Sequence, residues 1–108
     1  MKQNAYYLFF SNLSNPLRIS IISMLRRKPS SVSELAKKLN VEQSKLSHAL
    51  SNLKRCRIVA SVMKGKKRIY SLNKKTILPI LDIIEKHSKV YCKNKCEFCK
   101  SIQNKESK

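Results

Sequence analysis

Apolar positions recur along the chain with two different periods, and the switch between them sets the element order. Residues 5–13, AYYLFFSNL, are strongly apolar and predict a short first helix. Asn15-Pro16 then offers an N-cap followed by proline at the first helical position, where its missing N–H costs nothing. Leu17, Ile21, Met24 and Leu25 follow at helical spacing. Arg26, Arg27 and Lys28 complement the dipole of the last turn before Pro29 ends the helix. Ser31-Val32-Ser33-Glu34 reads as a capping box, and Val32, Leu35, Ala36 and Leu39 form the apolar stripe behind it. Asn40 suits the turn that follows. Leu46, Ala49, Leu50 and Leu53 make a second stripe with the same spacing.

After Arg57 the period changes. Ile58-Val59-Ala60-Ser61-Val62-Met63 is rich in β-branched residues, Lys64-Gly65-Lys66-Lys67 is a basic turn, and Arg68-Ile69-Tyr70-Ser71-Leu72 is a second strand. Residues 76–91 predict a last helix, with Thr76 as its cap and Pro79 tolerated in its first turn. Two short amphipathic helices separated by about three or four residues form a helix-turn-helix. A basic hairpin straight after it makes the unit a winged helix-turn-helix. The expected fold is mainly α with a small β-hairpin, in the order α-α-α-α-β-β-α. Residues 1–91 are expected to form one DNA-binding and dimerisation domain, and 92–108 a Cys/Lys-rich tail whose last residues, Ser101 to Lys108, lack fixed structure.

Composition narrows the partner. A chain of 108 residues with one Gly, three Pro and no Trp suits one helical domain with an aliphatic core. Its formal net charge of +18 comes from 24 basic and 6 acidic side chains. Such self-repulsion opposes compaction unless a polyanion is the working partner, nucleic acid first and an anionic membrane second. No apolar run approaches a membrane span, and the N-terminus lacks a signal-peptide pattern, so a cytoplasmic protein without membrane partners is expected. Cysteines there stay reduced, which directs Cys56, Cys92, Cys96 and Cys99 towards thiol or metal chemistry. Between Glu42 and Asp82 no acidic residue occurs, although the stretch is foldable and carries ten lysines and arginines from Lys45 to Lys75. Ordinary solvated faces interleave both signs.

The helix from about 43 to 55 presents Gln43, Ser44, Lys45, Ser47, His48, Ser51 and Asn52 opposite its apolar stripe. These are hydrogen-bonding side chains of short or medium reach, suited to base edges in a major groove. The early residues of the second helix reach the bases in helix-turn-helix proteins, so Gln43, Ser44, Lys45, Ser47 and His48, with Asn52, are the candidate readers. Lys64, Lys66, Lys67 and Arg68 around Gly65 form a cationic finger for phosphates or a minor groove. Ser31 and Ser33 are candidates for further phosphate contacts. The expected partner is double-stranded DNA with a palindromic operator. Apolar residues wrap too much of the first helix (Tyr6, Tyr7, Phe9, Phe10) and of the last (Ile77, Leu78, Ile80, Leu81, Ile83, Ile84) for one core contact, which points to a homodimer.

The stretches LSNPLRISIISMLRR, ELAKKLNVEQSKLSHALSNL and KGKKRIYSLN, in this order and spacing, resemble the ArsR-type family of regulators over roughly residues 11–85. The resemblance implies a homodimer paired through its first and last helices, a palindromic operator, and repression relieved by a metal or an oxidant. The chain departs from the family pattern at its sensors. Ser31-Val32-Ser33 stands where the metal-sensing Cys-Val-Cys would be, and serine is a poor ligand for soft metals. The Asp-x-His pattern of the last helix is absent, since Asp82 is followed by Ile83 and Ile84. Glu42 replaces the usual cap of the recognition helix, and Arg57 replaces a glycine after it.

The tail carries a separate chemistry. Cys92, Cys96 and Cys99 are spaced C-x3-C-x2-C after His87. On a continued α-helix the three thiols would share a face, and with His87 they could complete a tetrahedral zinc site or bind another thiophilic metal. A redox switch and inert thiols are the competing readings. Cys56 is expected to fill core space. The functional alternatives to a sequence-specific regulator are a non-specific nucleoid-type protein and a metal-binding or redox protein with incidental charge. Two histidines far apart and few acids offer no acid–base pair, so no enzyme is expected.

Overall fold

A computed structural model describes residues 3–92 of the chain. The chain divides into two compact units, the first ending at Asn73 and the second beginning at Lys74. The first unit opens with α1 (Gln3–Leu13) and α2 (Pro16–Arg27). Asn15 caps α2 as its sequence suggests: its side-chain oxygen accepts from the amides of Leu17 at 2.9 Å and Arg18 at 3.2 Å. Arg18 reaches back to α1, donating to the carbonyl of Asn12 at 3.0 Å and to the Asn12 side-chain oxygen.

The chain then forms β1 (Ser30–Ser31), α3 (Val32–Leu39), α4 (Gln43–Arg55), β2 (Val59–Lys64) and β3 (Lys67–Leu72). The capping box of α3 is complete: the Glu34 amide donates to Ser31 Oγ at 3.2 Å, and the Ser31 amide donates to Glu34 Oε1 at 2.8 Å. Asn40 ends α3 in the left-handed region, with φ 56°, a conformation asparagine tolerates. The sheet is antiparallel in the order β1-β3-β2. Ser30 pairs with Tyr70 and Ser31 with Ile69, while the β2–β3 register runs from Val59–Leu72 to Lys64–Lys67. The sequence predicts the hairpin and misses β1, because two serines carry no strand periodicity.

The core of this unit is aliphatic, as composition suggests. Ile21, Ile22 and Leu25 of α2, Leu35 and Ala36 of α3, and Leu46, Ala49, Leu50 and Leu53 of α4 are buried together with Ile58, Val59, Tyr70 and Leu72. Helices α2, α3 and α4 pack on one another and against β2 and β3. Fully burying such a side chain stabilises the fold by roughly 1.5–3 kcal/mol.

The second unit contains α5 (Ile77–His87), which passes into a π-helical turn over Ser88–Cys92. The single α-helix expected over 76–91 is therefore shorter. Thr76 stands at the N-cap position but makes no side-chain capping bond. Pro79 falls in the first turn, where its missing N–H has no helical partner to lose.

Candidate nucleic-acid interface

Helix α4 turns its two sides to different solvents. Leu46, Ala49, Leu50 and Leu53 are buried, whereas Gln43, Ser44, Lys45, Ser47, His48 and Ser51 are exposed. Asn52 is half-buried near the helix end, where its carbonyl accepts from the Cys56 amide at 3.3 Å. Glu42 occupies the N-cap position without a side-chain capping bond. The first-turn amides of α4 thus lack a covering side chain, and the polar face begins at an open helix end.

The hairpin projects its charge without help from bulky side chains. Lys64 pairs with Lys67 across a two-residue turn of Gly65 and Lys66. Gly65 has φ +63° and Lys66 is not among the positive-φ residues, the sign pattern of a type II′ turn that requires glycine first. Lys64, Lys66, Lys67 and Arg68 are all exposed. Arg68 is steadied from its own sheet, its guanidinium donating to Ser61 Oγ at 3.2 Å.

Between the end of α4 and the start of β2 lies an open cleft of about 530 Å³. Ser51, Lys54 and Arg55 of α4, Val59, Ala60 and Ser61 of β2, and Arg57 of the loop between them line it. The C-terminal end of α4 and the first residues of β2 therefore flank one space. Arg57 has φ +63°. Its amide donates to the Lys54 carbonyl and the Ile58 amide to the Leu53 carbonyl, both at 3.0 Å, which is the Schellman pattern that normally selects glycine. Cys56, expected in the core, is exposed. The chain reverses at Arg57, and Ile58 takes the buried place instead.

The two serines before α3 separate in role. Ser31 is 3% exposed and its hydroxyl is committed to the Glu34 amide and to Ser33 Oγ at 3.2 Å, so it is withdrawn from the expected phosphate contacts. Ser33 is exposed. Sequence reasoning left Lys54, Arg55 and Arg57 out of the candidate set. The acid-free stretch held their signal, but only the fold shows that they converge.

Residues 15–61, from the α2 cap to the first half of β2, match the family model described as bacterial regulatory protein, arsR family. The fold agrees with that of Rv0081 from M. tuberculosis at a TM-score of 0.71 and 34% identity, over 79% of this chain and 89% of that one. The chain belongs to the ArsR-type winged helix-turn-helix family. This ArsR-type protein is also 34% identical over 76 residues to the HTH-type transcriptional regulator NmtR of Mycobacterium tuberculosis. That match takes in 70% of the chain and spans 63% of NmtR's own length. HlyU from Vibrio cholerae N16961 superposes with a TM-score of 0.70 at 26% identity, over 85% of this chain and 99% of that one.

Within the ArsR-type chain, the tail chemistry falls largely outside the described residues. Cys96, Cys99 and the side chain of Cys92 lie there. His87 is exposed, and its ring meets that of Tyr91 with centroids 5.1 Å apart. The described residues end in a π-helical turn over Ser88–Cys92, which follows α5 and precedes Cys96 and Cys99. No helix among the described residues is long and apolar enough to cross a membrane.

Proposed function

We propose that this ArsR-type protein is a sequence-specific, DNA-binding transcriptional repressor that works in the cytoplasm as a homodimer on a palindromic operator. The observation that carries the reading is the exposed surface of α4 and of the hairpin: Gln43, Ser44, Lys45, Ser47 and His48 face solvent opposite the buried stripe of α4, and Lys64, Lys66, Lys67 and Arg68 around the hairpin turn are all exposed. A duplex offers that surface both of its needs. Gln43, Ser44, Lys45, Ser47 and His48 meet base edges in the major groove, with Asn52 behind them, while Lys64, Lys66, Lys67, Arg68 and Ser33 meet phosphates. The name of NmtR as a transcriptional regulator supports the same reading.

The dimer follows from apolar surface that each unit leaves in water. Tyr6, Tyr7, Leu8 and Phe10 of α1 are exposed, as are Ile83 and Ile84 of α5 and Val90 and Tyr91 after it. A two-fold axis would set the two copies of α4 about 34–36 Å apart, one turn of the duplex. The effector arm of the proposal is the tail, in which His87, Cys92, Cys96 and Cys99 supply a donor set of the type that holds zinc or another thiophilic metal.

The deciding experiment replaces Gln43, Lys45 and His48 by Ala and compares binding to an operator, selected from random DNA, with binding to random duplex. The specificity ratio should collapse, since each good base contact contributes about 1–3 kcal/mol of discrimination. An unchanged ratio removes the base-reading role. Wild-type affinity that is equal for all duplexes replaces the regulator with an architectural protein. For the tail, native mass spectrometry of zinc-replete, reduced protein should show one metal per chain, removed by chelator or by Cys96→Ser. Metal-free protein under these conditions refutes the metal site.

A further inference from the structure

We infer that the cleft between the end of α4 and the start of β2 is a second DNA-backbone site, gripping a phosphate at the wall of the groove whose floor the first turns of α4 read. The inference rests on the DNA-binding reading and extends it to residues outside the recognition turn and the hairpin tip.

Three cations, Lys54, Arg55 and Arg57, line one open space with two hydroxyls, Ser51 and Ser61, over a short apolar stretch of Val59 and Ala60. No ion pair joins these cations to a carboxylate among the described residues, and the sequence supplies no acid between Glu42 and Asp82 to neutralise them. Three like charges gathered without an internal counter-ion favour an external anion. A phosphate fits this donor set: guanidinium groups bind its oxygens in pairs, lysine supplies a point charge, and hydroxyls complete the shell.

Arg57 sharpens the point. Its position is built for glycine, and an arginine there holds a left-handed backbone that an L side chain disfavours. Its neighbours enforce this conformation: the Asn73 side chain donates to the Arg57 carbonyl at 2.9 Å, and the Asn73 amide to the Ile58 carbonyl at 3.0 Å. The fold thus keeps a guanidinium at a place where backbone energetics favour no side chain at all.

Position along the helix selects the phosphate. A rise of about 1.5 Å per residue puts Lys54 roughly 14 Å further along the axis than Lys45. The major groove is about 12 Å wide. A helix whose first turns touch its floor therefore brings its last turn out to the sugar–phosphate wall, which is where the cleft opens.

The test measures operator and random-duplex affinity against salt for the wild type, Lys54→Gln, Arg55→Gln and Arg57→Gly. Arg57→Gly is the informative variant, because it removes the charge while relaxing the backbone; its urea midpoint, measured alongside, separates lost binding from lost folding. Each substitution should weaken operator and random duplex by the same factor. Each should lower the slope of log affinity against log salt by about 0.9 for every phosphate it leaves unneutralised, so that the defect differs about threefold between about 50 and 200 mM salt. Wild-type protein that discriminates its operator while all three variants keep its affinity and slope overturns the cleft and leaves the regulator intact. Wild-type protein without preference for any duplex overturns the regulator reading, and the inference with it. Inorganic phosphate is the second probe. At matched ionic strength it should compete no better than chloride. Displacement specific to phosphate, and abolished in Arg57→Gly, would assign the cleft to a free phosphorylated ligand and refute the DNA contact.

Discussion

The side-chain amide of Asn73 donates to the main-chain carbonyl of Arg57 across 2.9 Å, tying the end of β3 to the loop that leaves the recognition helix. This bond steadies a backbone that an L side chain resists. Arg57→Gly should therefore stabilise the fold, by about 1 kcal/mol after the extra freedom glycine gains when unfolded. Asn73→Ala should destabilise it by a similar amount, about 1 kcal/mol. Urea midpoints of the two variants should move to opposite sides of the wild type. A lower midpoint for Arg57→Gly would mean that the guanidinium itself holds the loop.

Acid should loosen the start of α3. The Glu34 carboxylate is held below its ordinary range, first by the Ser31 amide and then by the Ser31 hydroxyl, with Lys28 and Lys67 adding attraction against a desolvation that raises it. A lowered folded value means that its contribution is complete above the ordinary carboxylate range and fades as pH falls through the folded value. Glu34→Gln keeps a capping-box residue without the charge. It should be less stable than wild type near neutral pH, with the difference closing in acid. A gap that stays constant with pH would assign Glu34 a role independent of its charge.

Tyr7 is 71% exposed on α1 and Ile83 is 68% exposed on α5. If these faces bury each other in a dimer, a lysine at either place introduces unpaired charge into an apolar contact. Sedimentation of Tyr7→Lys and Ile83→Lys should show monomers, with helix content unchanged by circular dichroism. Dimers that survive both substitutions would move the interface elsewhere.

The tip of the hairpin should act on affinity and leave specificity alone. Lys66→Gln and Lys67→Gln remove exposed cations from the turn. Each should weaken operator and random duplex alike, with a salt slope shallower by about one for each phosphate released. A change confined to the operator would mean that the tip reads bases.

Much of the fold is legible in the sequence. The Asn15 cap, the Ser31–Glu34 box and the glycine turn at Gly65 are local devices, each written in a few neighbouring residues. The stripes of α3 and α4 are similarly readable, because burial repeats with the helical period. What escapes depends on distant partners. Strand β1 exists because Ser30 and Ser31 find Tyr70 and Ile69 far along the chain. Burial of Ser31 follows from that pairing and takes it out of the phosphate set. Cys56 is thrown outward by a reversal at Arg57 that no propensity favours. The cleft joins side chains from a helix and a strand, and only their packing reveals it.

Strand β3 has neighbours on both edges, and the shorter of them, β1, leads straight into α3. The hairpin is therefore a stiff lever with its fulcrum at the first turn of the helix-turn-helix, and only Gly65 and Lys66 project beyond its paired length. Strain applied at the tip by a bound duplex would travel down β3 to Ser31 and Glu34. Amide exchange at those two sites becomes a gauge, inside the protein body, of whether the far end is engaged.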